Sequence, residues 1–179
     1  MTLKRQKKIG AFAGYKSAGL YTFDPDARNY FEEKAGQFWK TLIKNQFYTI
    51  PELQRFGCRK KAFLNCSKTF EEINDKLYNK FFTEEFRILV GDKEKDLQVV
   101  VNLISGKFQI NLTCGPIHKN EANNFFNFKS DHFEDTGIFL DIDVYIANGI
   151  QNSMIPSLVK EAMVITWTKI DSISKSVGL

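Results

Sequence analysis

The clearest structural signal in the chain is Phe139-Leu140-Asp141-Ile142-Asp143-Val144-Tyr145-Ile146, in which aliphatic and polar residues alternate. Successive side chains of a β-strand point to opposite faces of the sheet, so the aliphatic residues of this stretch share one face. Asp141, Asp143 and Tyr145 share the other face. The alternation predicts a strand with one buried face and one face that carries a pair of carboxylates.

A long amphipathic segment follows this strand after a turn at Asn148-Gly149. From Ser153 onward, apolar residues recur three and four positions apart, which is the spacing of one face of an α-helix. The apolar stripe is wide, and a wide stripe is typical of a helix that packs on more than one surface. The sequence therefore predicts a long C-terminal helix.

Upstream of the strand, the chain alternates between helical and extended patterns. Asp24-Pro25 predicts the start of a helix over roughly residues 25 to 45, because proline is tolerated at the first helical position. Residues 53–65 are typical of a strand. Thr69 and Glu72 match a capping box, in which each side chain satisfies the other residue's exposed backbone N–H. This pattern predicts a second, shorter helix.

Residues 82 to 114 contain three apolar runs separated by short turns. Short connections join antiparallel strands, because parallel strands need a crossover of a dozen or more residues. We therefore expect a three-stranded meander of residues 82–90, 97–104 and 107–114. With the helices, this predicts an α+β fold, in which an antiparallel sheet of about four to five strands is covered on one face by helices.

The net charge of the chain is concentrated at its N-terminus. Lys and Arg number 25 against 21 Asp and Glu, and the excess of four equals the number of basic residues among the first eight positions. We therefore expect a basic flexible arm over residues 1–12 and a single α+β domain over residues 13–179. The basic residues of the arm are Lys4, Arg5, Lys7 and Lys8.

The sequence contains no signal for a membrane or for an oxidising compartment. Its longest apolar run is far below the roughly 18 residues that cross a bilayer, and no long apolar run follows the basic N-terminus. Three cysteines without metal-type spacing predict neither a disulfide framework nor a zinc site. We expect a cytoplasmic protein with no membrane association and no cofactor.

Two segments resemble a known group of proteins. Residues 139–145, followed by the C-terminal helix, resemble the end of a sporadically distributed family of uncharacterised bacterial proteins that carry a Leu-Asp-Ile-Asp strand before their terminal helix. Residues 53–59, leading to Asn65, resemble the Arg-Ile-Gly-Leu-Arg-Tyr-Ile-Asn strand of that family. The resemblance implies an α+β protein of bacterial or phage origin without an established activity. The patchy distribution of the family implies a role in defence systems.

The leading functional prediction is a non-enzymatic interaction or scaffold module that binds a protein partner or a second copy of itself. The segment 115–137 is polar but rich in phenylalanine, and exposed aromatic residues are common interface hot spots. Its alternative structure is a small satellite core that faces inward. The predicted partner-binding residues are Phe125, Phe126 and Phe128 of this segment and Trp167 of the C-terminal helix.

The first alternative is a nucleic-acid-binding accessory protein. Cations contact phosphates and aromatic rings stack on bases, and residues 53–65 carry both kinds of side chain. The candidate residues on this strand are Arg55, Arg59, Lys60 and Lys61, which join the four basic residues of the arm.

The second alternative is a metal-dependent phosphoryl-transfer enzyme. Asp141 and Asp143 stand two positions apart on one strand face, where their oxygens can hold Mg²⁺ or Mn²⁺. The chain has no Walker A motif, no GxGxxG and no HExxH to accompany them. We therefore predict no catalytic residue, and the sequence favours a protein that is not an enzyme.

Overall fold

The computed structural model describes residues 9–25, 27–47, 49–50, 52–92, 94–127 and 130–178. Their architecture is α+β, as the sequence predicts. The described elements in chain order are β1 (Ile9–Ala13), β2 (Ala18–Thr22), α1 (Tyr30–Ile43), β3 (Leu53–Asn65), α2 (Phe70–Phe81), α3 (Glu84–Val90), β4 (Val99–Ser105), β5 (Phe108–His118), α4 (Lys119–Phe126), β6 (Thr136–Ile150) and α5 (Ile155–Val177). A short 3-10 turn, Asn152–Met154, leads into α5.

The described strands form two antiparallel sheets. β1 pairs with β2, and the larger sheet has the order β3-β6-β5-β4, so that β6 and β5 are central and β3 and β4 are its edges. In β5, Ile110 lies opposite Leu103 of β4 on one side and Val144 of β6 on the other. Leu140, Ile142 and Val144 are completely buried. The prediction that this strand has one buried face is therefore confirmed.

The chain divides into two compact units, and β3, β6 and α5 each contribute residues to both. The first unit contains the described residues up to Phe56 and residues Ile146–Met163. Its buried side chains come largely from α1 and the first half of α5. Trp39 of α1 is among them, and its indole Nε1 donates a hydrogen bond to the carbonyl oxygen of Asn152 at 3.0 Å.

The second unit contains Gly57–Tyr145 and the rest of α5. Helix α2 begins with the predicted capping box, because the Thr69 N–H donates to Glu72 Oε2 at 2.8 Å and the Glu72 N–H donates to Thr69 Oγ1 at 3.2 Å. The apolar side of the helix faces the core, where Ile73 and Leu77 are buried. The buried members of that core are Cys66, Ile73, Leu77, Leu97, Ile138 and Val177.

The predicted meander is wrong in its first strand, because residues 84–90 form helix α3. Thr83 caps the helix by accepting a hydrogen bond from the Phe86 N–H at 3.2 Å. Two glutamates in the first turn complement the helix dipole, and Gly91 ends the helix in the left-handed conformation at φ 75°. These end signals outweigh the strand propensity of the apolar residues between them, and only the β4–β5 hairpin of the meander remains.

The N-terminal region also differs from expectation in detail. Helix α1 begins at Tyr30 instead of after Asp24, because Asp24 adopts a positive φ of 44° that a helix start does not allow. Residues 9–12 of the predicted arm lie in β1, whereas Lys4, Arg5, Lys7 and Lys8 lie outside the described residues. None of the described helices is long and apolar enough to cross a membrane.

Candidate functional site

The polar face of β6 carries a salt bridge across the sheet to β3. Arg59 donates from Nε to Asp141 Oδ1 at 2.8 Å and from Nη2 to Asp141 Oδ2 at 2.5 Å, so the pair is bidentate. The Asp141 side chain is only 12% exposed, whereas that of Arg59 is 62% exposed. The hydrogen bonds to Asp141 raise the pKa of Arg59. Both oxygens of the carboxylate that the metal hypothesis requires are therefore engaged by a guanidinium.

Asp143 lies on the same face of β6, opposite Asn111 of β5. Further along, Tyr145 donates its hydroxyl hydrogen to Gln109 Oε1 at 2.8 Å. The described residues contain no group of three or more His, Cys, Asp or Glu side chains that could hold a metal ion. The assignment of Asp141 and Asp143 to a metal site stays a prediction, with no third protein ligand among these residues to support it.

The lysines that follow Arg59 also make contacts within the protein. Lys60 Nζ lies 4.4 Å from the ring centre of Trp167, and Lys61 Nζ lies 4.1 Å from that of Phe125. Lys61 also donates a hydrogen bond to the carbonyl oxygen of Phe125 at 2.7 Å. These cations bind aromatic rings and a carbonyl of their own chain. Arg55 is exposed earlier on the strand.

The phenylalanine-rich segment forms a satellite core, which was the alternative that the sequence left open for it. Phe126 is buried, and Phe63 of β3 stacks on Phe133 with ring centres 4.7 Å apart. Phe125 is half-buried and lies 5.0 Å from the ring of Phe139. Of the predicted partner-binding residues, Phe125 and Phe126 therefore pack against other residues of the protein. Trp167 is half-buried beside Lys60, and Phe128 lies outside the described residues.

Asn65 at the end of β3 binds the last part of this segment, just before β6, through two hydrogen bonds. Its Nδ2 donates to the carbonyl oxygen of His132 at 2.8 Å, and its Oδ1 accepts from the Glu134 N–H at 3.2 Å. At the other end, the His118 N–H donates to Glu121 Oε2 at 3.1 Å and fixes the start of α4. The segment that the sequence presented as a candidate binding loop is thus tied to the sheet at both ends.

The cysteines of β3 and β5 have the environment of structural residues. Burial, with a contribution from the negative charge of Asp143, raises the pKa of Cys58 to about 12. Burial alone raises the pKa of Cys114 to about 11. A nucleophilic cysteine needs its thiolate at neutral pH. These two thiols stay protonated there, and neither suits covalent catalysis.

The most unusual surface is the outer edge of β4. The seven residues of this strand, Val99–Ser105, include no charged residue and no proline. Val100 is 63% exposed and Ile104 is 84% exposed. Among the described residues β4 is the last strand of its sheet, so no described strand pairs with its outer edge. Sequence reasoning found the strand but not its edge position, because a strand without charge or proline has the pattern of a buried, central strand.

The turn after β4 determines which backbone groups face outward. Ser105 pairs with Phe108 across the two-residue turn that begins at Gly106, where φ is 58°. In such a hairpin the residues that flank the turn form a hydrogen-bonded pair, and pairs alternate along an antiparallel ladder. Val100, Asn102 and Ile104 are therefore the non-hydrogen-bonded positions toward β5. Their N–H and C=O groups point away from the sheet.

Helix α3 adds a second apolar surface to the same unit. Ile88 is 73% exposed and Leu89 is 82% exposed, and no residue of this helix is buried. Its contacts with the preceding residues include the Phe86 ring, which stacks on Phe82 at 5.0 Å, and a hydrogen bond that Arg87 donates to Asn79 of α2. Soluble proteins rarely keep grouped apolar side chains in water unless they bind something.

No family model, no curated protein and no solved structure matches this chain. The resemblance to the bacterial family with a Leu-Asp-Ile-Asp strand therefore stays a prediction.

Proposed function

We propose that this chain is a non-enzymatic interaction module that binds a protein strand along the outer edge of β4. The observation that carries the proposal is an edge strand with outward N–H and C=O groups, three exposed aliphatic side chains (Val100, Val101 and Ile104) and no charge. Binding by strand addition uses main-chain hydrogen bonds for affinity and alternate side chains for specificity. The exposed groups of Val100, Asn102 and Ile104 provide both.

The chemistry of this surface favours protein over the alternatives. Nucleic acid requires cations that contact phosphates, and β4 has none. The cations of β3 at Arg59, Lys60 and Lys61 make contacts with Asp141, Trp167 and Phe125 of the same chain. The Arg59–Asp141 pair likewise weakens the case for a metal-dependent enzyme. These observations support an interaction role ahead of nucleic-acid binding and catalysis.

The proposed surface differs from the one expected from the sequence. Phe125 and Phe126 contribute to the satellite core, and we place binding on β4, with α3 as a second apolar surface. A cytosolic setting in bacteria or phages, and a part in defence, stay predictions from the sequence and the resemblance.

The proposal is tested by capture of partners from the lysate of the native cells, with and without nuclease, using tagged wild-type protein and two variants. Val100→Lys combined with Ile104→Lys places two charges on the β4 edge. Val164→Lys is the matched control, because Val164 is 58% exposed on α5 and lies far from β4 in sequence. We expect nuclease-resistant protein partners with the wild type and the control, and loss of these partners with the β4 double variant.

Two results would contradict the proposal. The first is identical capture by the wild type and the β4 double variant. The second is capture that nuclease abolishes, which would favour the nucleic-acid alternative and make Arg59, Lys60 and Lys61 the next residues to change.

A further inference from the structure

We infer that the strand that binds to the edge of β4 is β4 of a second copy, paired antiparallel about a two-fold axis at Asn102. This inference rests on the proposed function, because it names the partner of the same edge. Three properties of the strand support it, namely its hydrogen-bonding register, its side-chain pairs and the charges at its ends.

The hydrogen-bonding register is self-complementary. The outward-facing residues are Val100, Asn102 and Ile104, which are symmetric about Asn102. In an antiparallel pair centred there, Asn102 lies opposite Asn102 of the second copy, and Val100 lies opposite Ile104. All three positions become hydrogen-bonded pairs, each of which exchanges both N–H···O bonds. A register shifted by one outward residue leaves Val100 or Ile104 without an opposite outward residue.

The same register also matches side chains. On one face of the joined sheet, Val100 lies opposite Ile104, so the two most exposed aliphatic residues of the strand cover each other. On the other face, Val101 lies opposite Leu103. Cross-strand pairs of β-branched and aliphatic residues stabilise a sheet, whereas like charges directly opposite each other destabilise it. Because β4 has no charge, self-pairing brings no like charges together within the strand.

The charges that flank the strand are complementary under the two-fold. Lys107 follows the C-terminal end of β4, and Asp96 precedes its N-terminal end. Residues before β4 continue alongside β5, since a Cβ atom on Gly115 would collide with the Leu97 carbonyl oxygen. Antiparallel pairing places the end of one strand beside the start of the other. Lys107 of each copy therefore comes near Asp96 of the other, which is the charged residue closest to it in this register, with Lys95 one position further away.

The first test measures mass by light scattering over about a hundredfold range of protein concentration, since self-association follows mass action. We expect the wild type to shift from one chain to two as concentration rises, and the Val164→Lys control to do the same. Val100→Lys and Ile104→Lys should remain monomeric. Asn102→Pro should also remain monomeric, because it removes an outward N–H without breaking the ladder to β5. Circular dichroism confirms that each variant is folded.

The second test establishes the register with single cysteines. Asn102→Cys places two thiols directly opposite each other, with Cα atoms about 5.5 Å apart, within the range that a disulfide spans. Val100→Cys is the matched control, because the two-fold separates its copies by four residues, or about 14 Å. The native cysteines at 58, 66 and 114 are buried and do not compete. Under mild oxidation, we expect a covalent dimer from the first variant alone.

Each contrary outcome has a distinct meaning. A wild type that is monomeric at every concentration, or equal cross-linking of both cysteine variants, overturns the self-pairing. If the double variant Val100→Lys/Ile104→Lys then still loses its captured partner, the proposed function survives with a different strand as partner. If the dimer forms but none of the β4 variants changes it, the contact lies elsewhere and the inference is wrong.

Discussion

Both edge strands of the larger sheet have backbone N–H and C=O groups that no described strand of the sheet pairs with, and the two strands differ in how these groups are protected. β3 carries Arg55, Arg59, Lys60 and Lys61, and its later residues pack against α4 and the segment that follows it. β4 has neither charge nor proline along its seven residues. Natural sheets commonly protect their edges with lysine, proline or a covering segment. This contrast is the reason that we propose a partner strand for β4 and not for β3.

The satellite core beside β3 should show the largest effect on stability. Phe126→Ala should lower the free energy of unfolding by about 3 kcal/mol, because it leaves a cavity beside the stacked rings of Phe63 and Phe133. Leu89→Ala on the exposed helix α3 should change it by less than about 0.5 kcal/mol. Urea denaturation followed by circular dichroism measures both. Equal effects would mean that the phenylalanine cluster contributes no more to stability than an exposed leucine.

The cross-strand salt bridge at β3 should have a smaller effect. Arg59→Ala leaves the Asp141 carboxylate mostly buried without its guanidinium, which should cost about 1.5 kcal/mol once the exposure of the arginine is taken into account. Arg59→Lys keeps the charge but loses the bidentate geometry, so its loss should lie between that of Arg59→Ala and the wild type. Urea midpoints for the three proteins test this order. A lysine variant as unstable as the alanine variant would assign the effect to hydrogen-bond geometry alone.

The outer edge of β4 should show the smallest effect on the monomer. Ile104→Lys should change the free energy of unfolding by less than about 0.5 kcal/mol, because the side chain is already largely in water. The measurement is made at a protein concentration at which light scattering gives the mass of one chain. The same variant should aggregate less during refolding, since a charge on an exposed edge opposes strand pairing. Unchanged aggregation would show that chains do not associate through the β4 edge during refolding.

Local patterns predicted much of the fold. The alternation at 139–146 predicted the central strand β6, and the Thr69–Glu72 spacing predicted the cap of α2, because both signals lie within a few residues. Helix α3 was missed because its apolar residues resemble a strand when the cap at Thr83 and the glycine at 91 are given too little weight.

The candidate site was harder to predict because it depends on strand order. Arg59 and Asp141 are 82 positions apart, and only the adjacency of β3 and β6 brings them together. The same holds for the exposed edge, because the residues of β4 look like those of any buried strand until the sheet order places them last. The alternation at 139–146 predicted the buried face of β6 correctly, but the neighbours of each strand came from the fold.

The buried thiols of β3 and β5 allow local unfolding of the native protein to be measured through their chemical reactivity. Cys58 and Cys114 ionise in the folded state only at about pH 12 and about pH 11, so an alkylating reagent at neutral pH modifies them only when the strands that bury them separate. In the unfolded chain these thiols ionise at their ordinary, lower pKa. As pH rises above about 9, these thiols therefore ionise in the unfolded chain before they ionise in the folded protein. This favours the unfolded state, so the free energy of unfolding falls progressively as pH rises toward 12. The rate of alkylation at Cys58 would therefore report on the local opening of β3, and the rate at Cys114 on the opening of β5, the strand that pairs with β4.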